Sequence, residues 1–310
     1  MHPPILFCTL LVLNKIVRTS IILLISGFFV SNHSPLLGQH PKNDWSLQFF
    51  AGTINYQGDL KPTSFTFNHS NPAINILVRK PINNWLSFRM GMGLGKIEGA
   101  DRYNRNYLVP RNLSFYSTIK EISAELEVAI PEIAATHLSA YLYGGMTVFH
   151  FNPWTYDRNG KKTHLHPLST EGQGLPGYPE RKPYKLIQPA LSFGTGFRYE
   201  LNECIQLGIT FSQRKSFTDY LDDVSSFYPD KDDLLAAKGI TAVQLAYRGD
   251  ELPGGAPYPP HAGTQRGTAS EMDWYYYFGL TIEFKLNCIK AFLSGWKGSH
   301  ESFYASHCPK

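Results

Sequence analysis

The chain has 310 residues, with 29 Lys and Arg against 25 Asp and Glu, a formal net charge of +4, 17% charged side chains and 14% aromatic ones. Few charges with many aromatics exclude a disordered chain and indicate one rich in strand-forming residues. The charge balance is mild, and no run of Lys and Arg interleaves with aromatics, so no nucleic-acid partner is expected.

The N-terminus reads as an export signal. An apolar run over residues 5–13 precedes Lys15 and Arg18, and a second apolar run covers 21–30. Each run is too short to cross a bilayer as a helix. Lys15, Arg18 and the second run make the better signal, with cleavage expected near Gly38. Cys8 follows Leu6 and Phe7, which is not a lipoprotein pattern. Residues 1–38 are thus assigned to the signal, 39–286 to a β-barrel and 287–310 to a periplasmic tail. Beyond the signal no apolar run is long enough for a membrane helix, so a membrane location would require a barrel. Cys204, Cys288 and Cys308 remain after processing. One disulfide is possible outside the cytoplasm; Cys288 and Cys308 are closest in sequence, but spacing leaves the pairing open.

In chain order, the first strand is expected over 45–54, with Trp45, Leu47, Phe49 and Ala51 opposite Ser46 and Gln48. A loop over 56–72 leads to a strand marked by Ile74, Ile76 and Val78, then a tight turn at 80–84. The third strand, 85–97, sets Leu86, Phe88, Met90, Met92 and Leu94 against Ser87, Arg89, Gly91, Gly93 and Gly95. After a long loop over 98–118, the fourth strand (119–130) sets Ile122, Ala124, Leu126 and Val128 against Glu121, Ser123, Glu125 and Glu127. A turn at 131–137 leads to a fifth strand at 138–151. A long Pro- and Gly-rich connection over 152–185 leads to a sixth at 187–199. The turn 201–204 and a seventh strand from 205 to 212 follow, and the longest connection, 213–273, leads to the last strand, 274–286. There Trp274, Tyr276, Phe278, Leu280, Ile282 and Phe284 alternate with Tyr275, Tyr277, Gly279, Thr281, Glu283 and Lys285. Period-two alternation of this length suits a tilted strand crossing a bilayer.

Connections one, three, five and seven are long, and two, four and six are short. Outer-membrane barrels combine an even strand count with short periplasmic turns and longer extracellular loops. The expected fold is therefore an all-β, eight-stranded antiparallel transmembrane β-barrel in the outer membrane of a Gram-negative bacterium, with both termini periplasmic. So narrow a barrel has little room beyond its own side chains. Glu121, Glu125, Glu127 and Glu283 are expected to pair in the lumen with Arg89, Arg198, Arg214 and Lys285, because buried charges need partners. An open channel is not expected.

The densest polar cluster is 214–225. Asp219, Asp222 and Asp223 have the oxygen ligands of a divalent-cation site, but the segment lacks the glycine and terminal Glu of an EF-hand loop. A turn or helix whose carboxylates cap backbone NH groups or meet Arg214 and Lys215 is the favoured use, so no metal or cofactor is expected. His164 and His166 are spaced like strand neighbours, with His150 upstream in the fifth strand, but Pro167, Lys161 and Lys162 beside them indicate a solvated loop rather than a metal site. Residues 169–175 lack the Lys of a phosphate loop, and no Gly-x-Ser-x-Gly elbow occurs.

Residues 52–59 (Gly-Thr-Ile-Asn-Tyr-Gln-Gly-Asp), 111–115 (Arg-Asn-Leu-Ser-Phe), 168–175 with Thr170, Glu171 and Gln173, and 214–224 with Thr-Asp-Tyr-Leu-Asp-Asp-Val resemble the PorG-like outer-membrane barrel family, as do Arg266-Gly267 and 273–275 near the end. The resemblance runs from 45 to 286. It implies a barrel without catalytic residues, in a family that includes the small barrel subunit of type IX secretion, which is associated with periplasmic ring components. Members typically end near the last strand, whereas this chain continues over 287–310 with Trp296, His300, Phe303, His307 and Cys308. Arg111, Asn112, Phe115, Thr170, Glu171, Gln173, Arg214, Asp219, Tyr220, Asp222 and Asp223 are expected to pack loops on one another or meet a partner. The expected role is a non-enzymatic structural or assembly component in contact with outer-membrane lipid. A surface receptor or adhesin and a lipid-modifying barrel enzyme stand as alternatives.

Overall fold

The computed structural model of the chain describes residues 45–63, 66–130, 137–259 and 263–289. The signal and its cleavage point, most of the turn at 131–137, and residues 290–310 with Cys308 lie outside them. The wall strands are β1 (Ser46–Gln57), β2 (Asn71–Pro81), β3 (Leu86–Ala100), β4 (Ser114–Ile130), β5 (Leu138–His150), β8 (Ile187–Glu200), β9 (Ile205–Ser216) and β10 (Trp274–Lys285). Two short strands, β6 (Trp154–Tyr156) and β7 (Lys162–His164), form a hairpin above β4 through Tyr116 and Trp154. Each wall strand pairs antiparallel with its neighbours, and pairing of β3 with β4 and of β1 with β10 closes the cylinder.

Alternation sorts the side chains by solvent. Met92 (64% exposed), Leu280 (65%), Ile122 (58%) and Leu142 (53%) point outward, while Glu127 (1%), Glu283 (2%) and Arg89 (4%) point inward. Apolar side chains around the whole circumference, with charges inside, invert the arrangement of a soluble protein and fit a lipid solvent. Exposed Trp45, Trp85 and Tyr199 lie toward the short-turn edge. The chain is an eight-stranded antiparallel transmembrane β-barrel. Glycines serve its inside: Tyr141 and Tyr143 lie against Gly196 and Gly194, where a Cβ would overlap their phenol rings.

Inside, the charges form one network. Glu127 meets Arg89 and Arg198, each at 3.0 Å, and Glu283 meets Arg198 at 3.3 Å and Arg79 at 2.8 Å. Arg214 reaches Glu121 at 3.0 Å and Glu125 at 3.4 Å, and the Tyr275 hydroxyl donates to Glu121 at 2.8 Å. The space left among Gln48, Asn75, Arg89, Glu121 and Tyr143 is about 30 Å³, room for a water molecule or two. The lumen is plugged by ion pairs.

One expected lumen residue and some strand boundaries differ from the sequence pattern. Lys285 is not part of the network: it sits at the short-turn edge, about a third exposed, and pairs with Glu200 at 3.1 Å. Its place belongs to Arg79, on the inward face of β2. Arg214 belongs to the wall rather than to the following loop, since β9 runs on to Ser216. β3 and β4 likewise run on to Ala100 and back from Ser114, so the loop between them is shorter than expected. Above the lipid both faces of a strand meet protein or water, and the apolar-out rule lapses: Phe115 turns inward while Tyr116 turns outward. The disulfide joins Cys204 to Cys288. Cys204 lies in the β8–β9 turn and Cys288 just past β10, and neighbouring β9 and β10 bring them together.

Candidate functional site

The long loops between β1 and β2, β3 and β4, β5 and β8, and β9 and β10 fold over one mouth of the barrel. The last carries two short helices, α1 (Lys231–Lys238) and α2 (Ile240–Ala246). Asp230 caps α1, accepting from the Asp232 and Asp233 amides. Under them lies an aromatic plug in which Tyr56 meets Phe115 edge-on at 4.9 Å and Phe151, Tyr184 and Tyr220 stack in turn.

Polar groups tie the loops together through this plug. Glu171, fully buried, accepts from the Ser225 amide (2.8 Å), the Ser226 amide (3.0 Å) and hydroxyl (2.6 Å), the Tyr220 hydroxyl (3.2 Å) and Arg266 (3.0 Å). Gln173 steadies it by accepting from the Glu171 amide. Arg266 also donates to the carbonyls of Asp223 and Ala246. Asp223, at φ 67°, accepts from Thr170 and, at 2.7 Å, from the Tyr184 hydroxyl. Arg111 grips Asp101 with two hydrogen bonds, at 2.9 and 2.6 Å, and donates to the Arg266 carbonyl. Its neighbour Asn112 donates to the Arg248 carbonyl at 3.1 Å. A buried charge with a full set of donors fixes one loop arrangement and penalises others.

A second cluster lies beside the first. Asp222 accepts from the Tyr56 hydroxyl (2.6 Å) and the amides of Val224 and Leu60, while Asp273 accepts from Tyr56 (3.1 Å) and the Leu221 amide. The Asp59 carboxylate receives the Thr268 amide. Neither buried oxygen of Asp219 has a hydrogen-bond donor among the described residues. Burial, aided by the charge of Asp222, pushes Asp219 up to about 9. Burial and then Asp59 push Asp222 up to about 8, and burial with Asp222 and Asp219 raises Asp273 well above the carboxylate range. Asp223 rises with burial only to about 6, because Arg266 opposes it.

The structure therefore joins the expected residues of three separate stretches, Arg111 to Phe115, Thr170 to Gln173 and Asp219 to Asp223, into one cap. Arg214 does not join them; it serves the lumen below. Asp222 takes backbone NH groups as expected, but meets neither Arg214 nor Lys215. Sequence reading missed Asp59, Asp101, Tyr184 and Asp273 as members and left Arg266 without a partner. His166 packs edge-on against Tyr184, its Nε2 2.8 Å from the Tyr184 carbonyl oxygen. Among the described residues no group of three or more His, Cys, Asp or Glu is arranged around a metal position.

Residues 39–169 match a family described as a domain of unknown function (DUF6089). The match stops one residue before Thr170, so the Glu171, Asp223 and Arg266 half of the cap lies outside it. No curated protein matches the chain. Among solved structures, Neisserial surface protein A is 8% identical over 78% of this chain and 96% of its own, with a TM-score of 0.37. The outer membrane protein OprG from Pseudomonas aeruginosa is 10% identical over 78% and 96%, at 0.37. Ail of Yersinia pestis, in complex with the heparin analogue sucrose octasulfate, is 8% identical over 78% and 98%, at 0.35. The barrel assignment rests on the strand pairings and lipid-facing belt of this chain itself.

Proposed function

We propose that the chain is a closed, non-enzymatic outer-membrane barrel acting as a structural or assembly component of an envelope complex, with the long loops outside and both termini periplasmic. The observation that carries this is the double closure: a lumen filled by Arg–Glu pairs beneath a mouth sealed by aromatic and carboxylate contacts. A barrel whose lumen is filled and whose mouth is covered offers its surfaces. The resemblance to the PorG-like family, carried by 52–59, 111–115, 168–175 and 214–224, supports type IX protein secretion as the system and periplasmic ring components as the partners.

The test is recovery of the tagged protein from detergent-solubilised outer membranes, followed by mass spectrometry of what accompanies it. Ring and other secretion subunits are the expected companions. A correctly inserted barrel that comes down alone would overturn the assembly role. One observation favours a receptor as the second reading: Phe67, Tyr107, Phe227 and Ile240 are exposed on the long loops. Polar substitutions there that spare assembly and abolish ligand uptake would establish it. Lipid composition unchanged in a deletion strain is expected for a barrel that is not a lipid-modifying enzyme.

A further inference from the structure

On the outside of β3 and β4 the apolar columns end abruptly. Going toward the long loops, Phe88, Met90, Met92 and Leu94 give way to Lys96, and Leu126, Ala124 and Ile122 give way to Lys120. The strand register sets Lys120 beside Leu94 on one side and His150 on the other. Lys96 pairs with Thr118, which places it diagonally above Lys120 on the same face. Below this edge is a concavity of about 460 Å³, lined by Ile74, Ile76, Met92, Leu94, Ile122 and Val148, with Lys120 and His150 at its upper end; Glu121 also borders it, its carboxylate engaged by Arg214 and Tyr275.

The cations differ in their partners. Lys96 lies over the Tyr116 ring at 4.4 Å and 3.9 Å from Glu98, and Lys162 lies over Trp154 at 4.3 Å. Lys120, exposed, forms no ion pair or hydrogen bond among the described residues. On the far side of the barrel the outward columns end differently. β1 continues from Ala51 to Thr53 and β10 from Leu280 through Phe278 to Trp274, where Lys215 lies over the Trp274 ring at 5.4 Å. The basic edge is thus concentrated where the apolar concavity lies.

We propose that this concavity is a binding site for an anionic, phosphate-bearing membrane lipid. Lys120 and His150 meet the phosphate, and one acyl chain lies along Met92, Ile122 and Val148. Charge complementarity selects this occupant. An unpaired ammonium at the boundary of the lipid belt stands at headgroup depth, where anionic lipid attracts basic side chains. The apolar surface directly below it continues into the acyl region. The site rests on the membrane reading of the barrel and is independent of any role in secretion.

The experiment measures lipid retained by purified full-length protein, by native mass spectrometry from micelles doped with equal phosphatidylglycerol and phosphatidylcholine. The proteins compared are wild type, the Lys120→Gln/His150→Gln pair, Lys215→Gln as a charge-matched control, and Met92→Trp, which fills the concavity beneath an intact basic edge. Folding is checked for each by heat-modifiable gel mobility. Wild type and K215Q are expected to prefer phosphatidylglycerol by about tenfold. The pair should lose that preference, and M92W should retain less of either lipid. Inorganic phosphate in millimolar excess should not compete, since it has no chain for the concavity. Equal retention of the two lipids by wild type, an undiminished preference in the pair, or full competition by phosphate would overturn the proposal.

Discussion

At the level of the membrane belt, Arg79, Arg89, Arg198 and Arg214 face Glu121, Glu125, Glu127 and Glu283, one guanidinium for each carboxylate. A few residues higher, the cap gathers Asp59, Asp101, Glu171, Asp219, Asp222, Asp223 and Asp273 around Arg111 and Arg266, so carboxyl groups outnumber their cations. The lumen is closed by matched charge. The cap is closed partly by backbone NH donors and partly by holding some of its acids protonated. Two neighbouring plugs should therefore fail under different conditions, the lumen on loss of a partner and the cap also on a rise in pH.

The largest effects should come from stranding charge. Glu127→Ala leaves Arg89 and Arg198 without their shared carboxylate in the barrel interior, and a loss of about 3–5 kcal/mol is expected, read as a lower urea midpoint for the whole barrel. Arg266→Met strands Glu171 and Asp223 at a similar local cost of about 3–5 kcal/mol, but its expected readout is rapid proteolysis within 217–273 while the wall keeps its heat-modifiable mobility. If both variants unfolded wall and cap together, the two plugs would be one cooperative unit.

Cys204→Ser should cost about 2–4 kcal/mol, seen as a lower midpoint matched by reducing the wild type, because the bridge ties ends 84 residues apart. It should leave the cap's proteolysis unchanged. The remaining effect concerns pH and falls on the cap alone. Asp219 and Asp222 titrate at about 9 and about 8 in the folded cap, above an unfolded aspartate near 4, so the folded state binds more protons between those limits. Their stabilisation is present at low pH and is lost as pH rises through the folded values. Amide exchange in 217–225 should accelerate from pH 6 to 9, after correction for intrinsic rates, and Asp219→Asn should flatten that rise.

The wall was legible because lipid outside and a polar lumen inside impose strict alternation, as in β4 from Glu121 to Val128. The rule gave out at 114–118, where β4 leaves the lipid and Phe115 takes its side from the cap; at 213–216 only the strand end was missed, since Arg214 keeps to the inward face as alternation requires. Lys285 followed the alternation but sits at the rim, where a lysine reaches water and Glu200. The cap was legible only as separate polar clusters. Its ties join Arg266 to Glu171 and Tyr56 to Asp222, 95 and 166 residues apart, and no local spacing records such pairs. The disulfide was hidden for the same reason, since Cys204 and Cys288 lie 84 residues apart and meet only through the pairing of β9 with β10.

The barrel is shut at both levels. Conductance of the purified protein in planar lipid bilayers tests it most directly. No stepwise current above the bare-membrane baseline is expected for wild type, at neutral pH or at pH 9, where the cap loosens but the lumen pairs remain. Stable ion-conducting steps from the wild-type protein would contradict it.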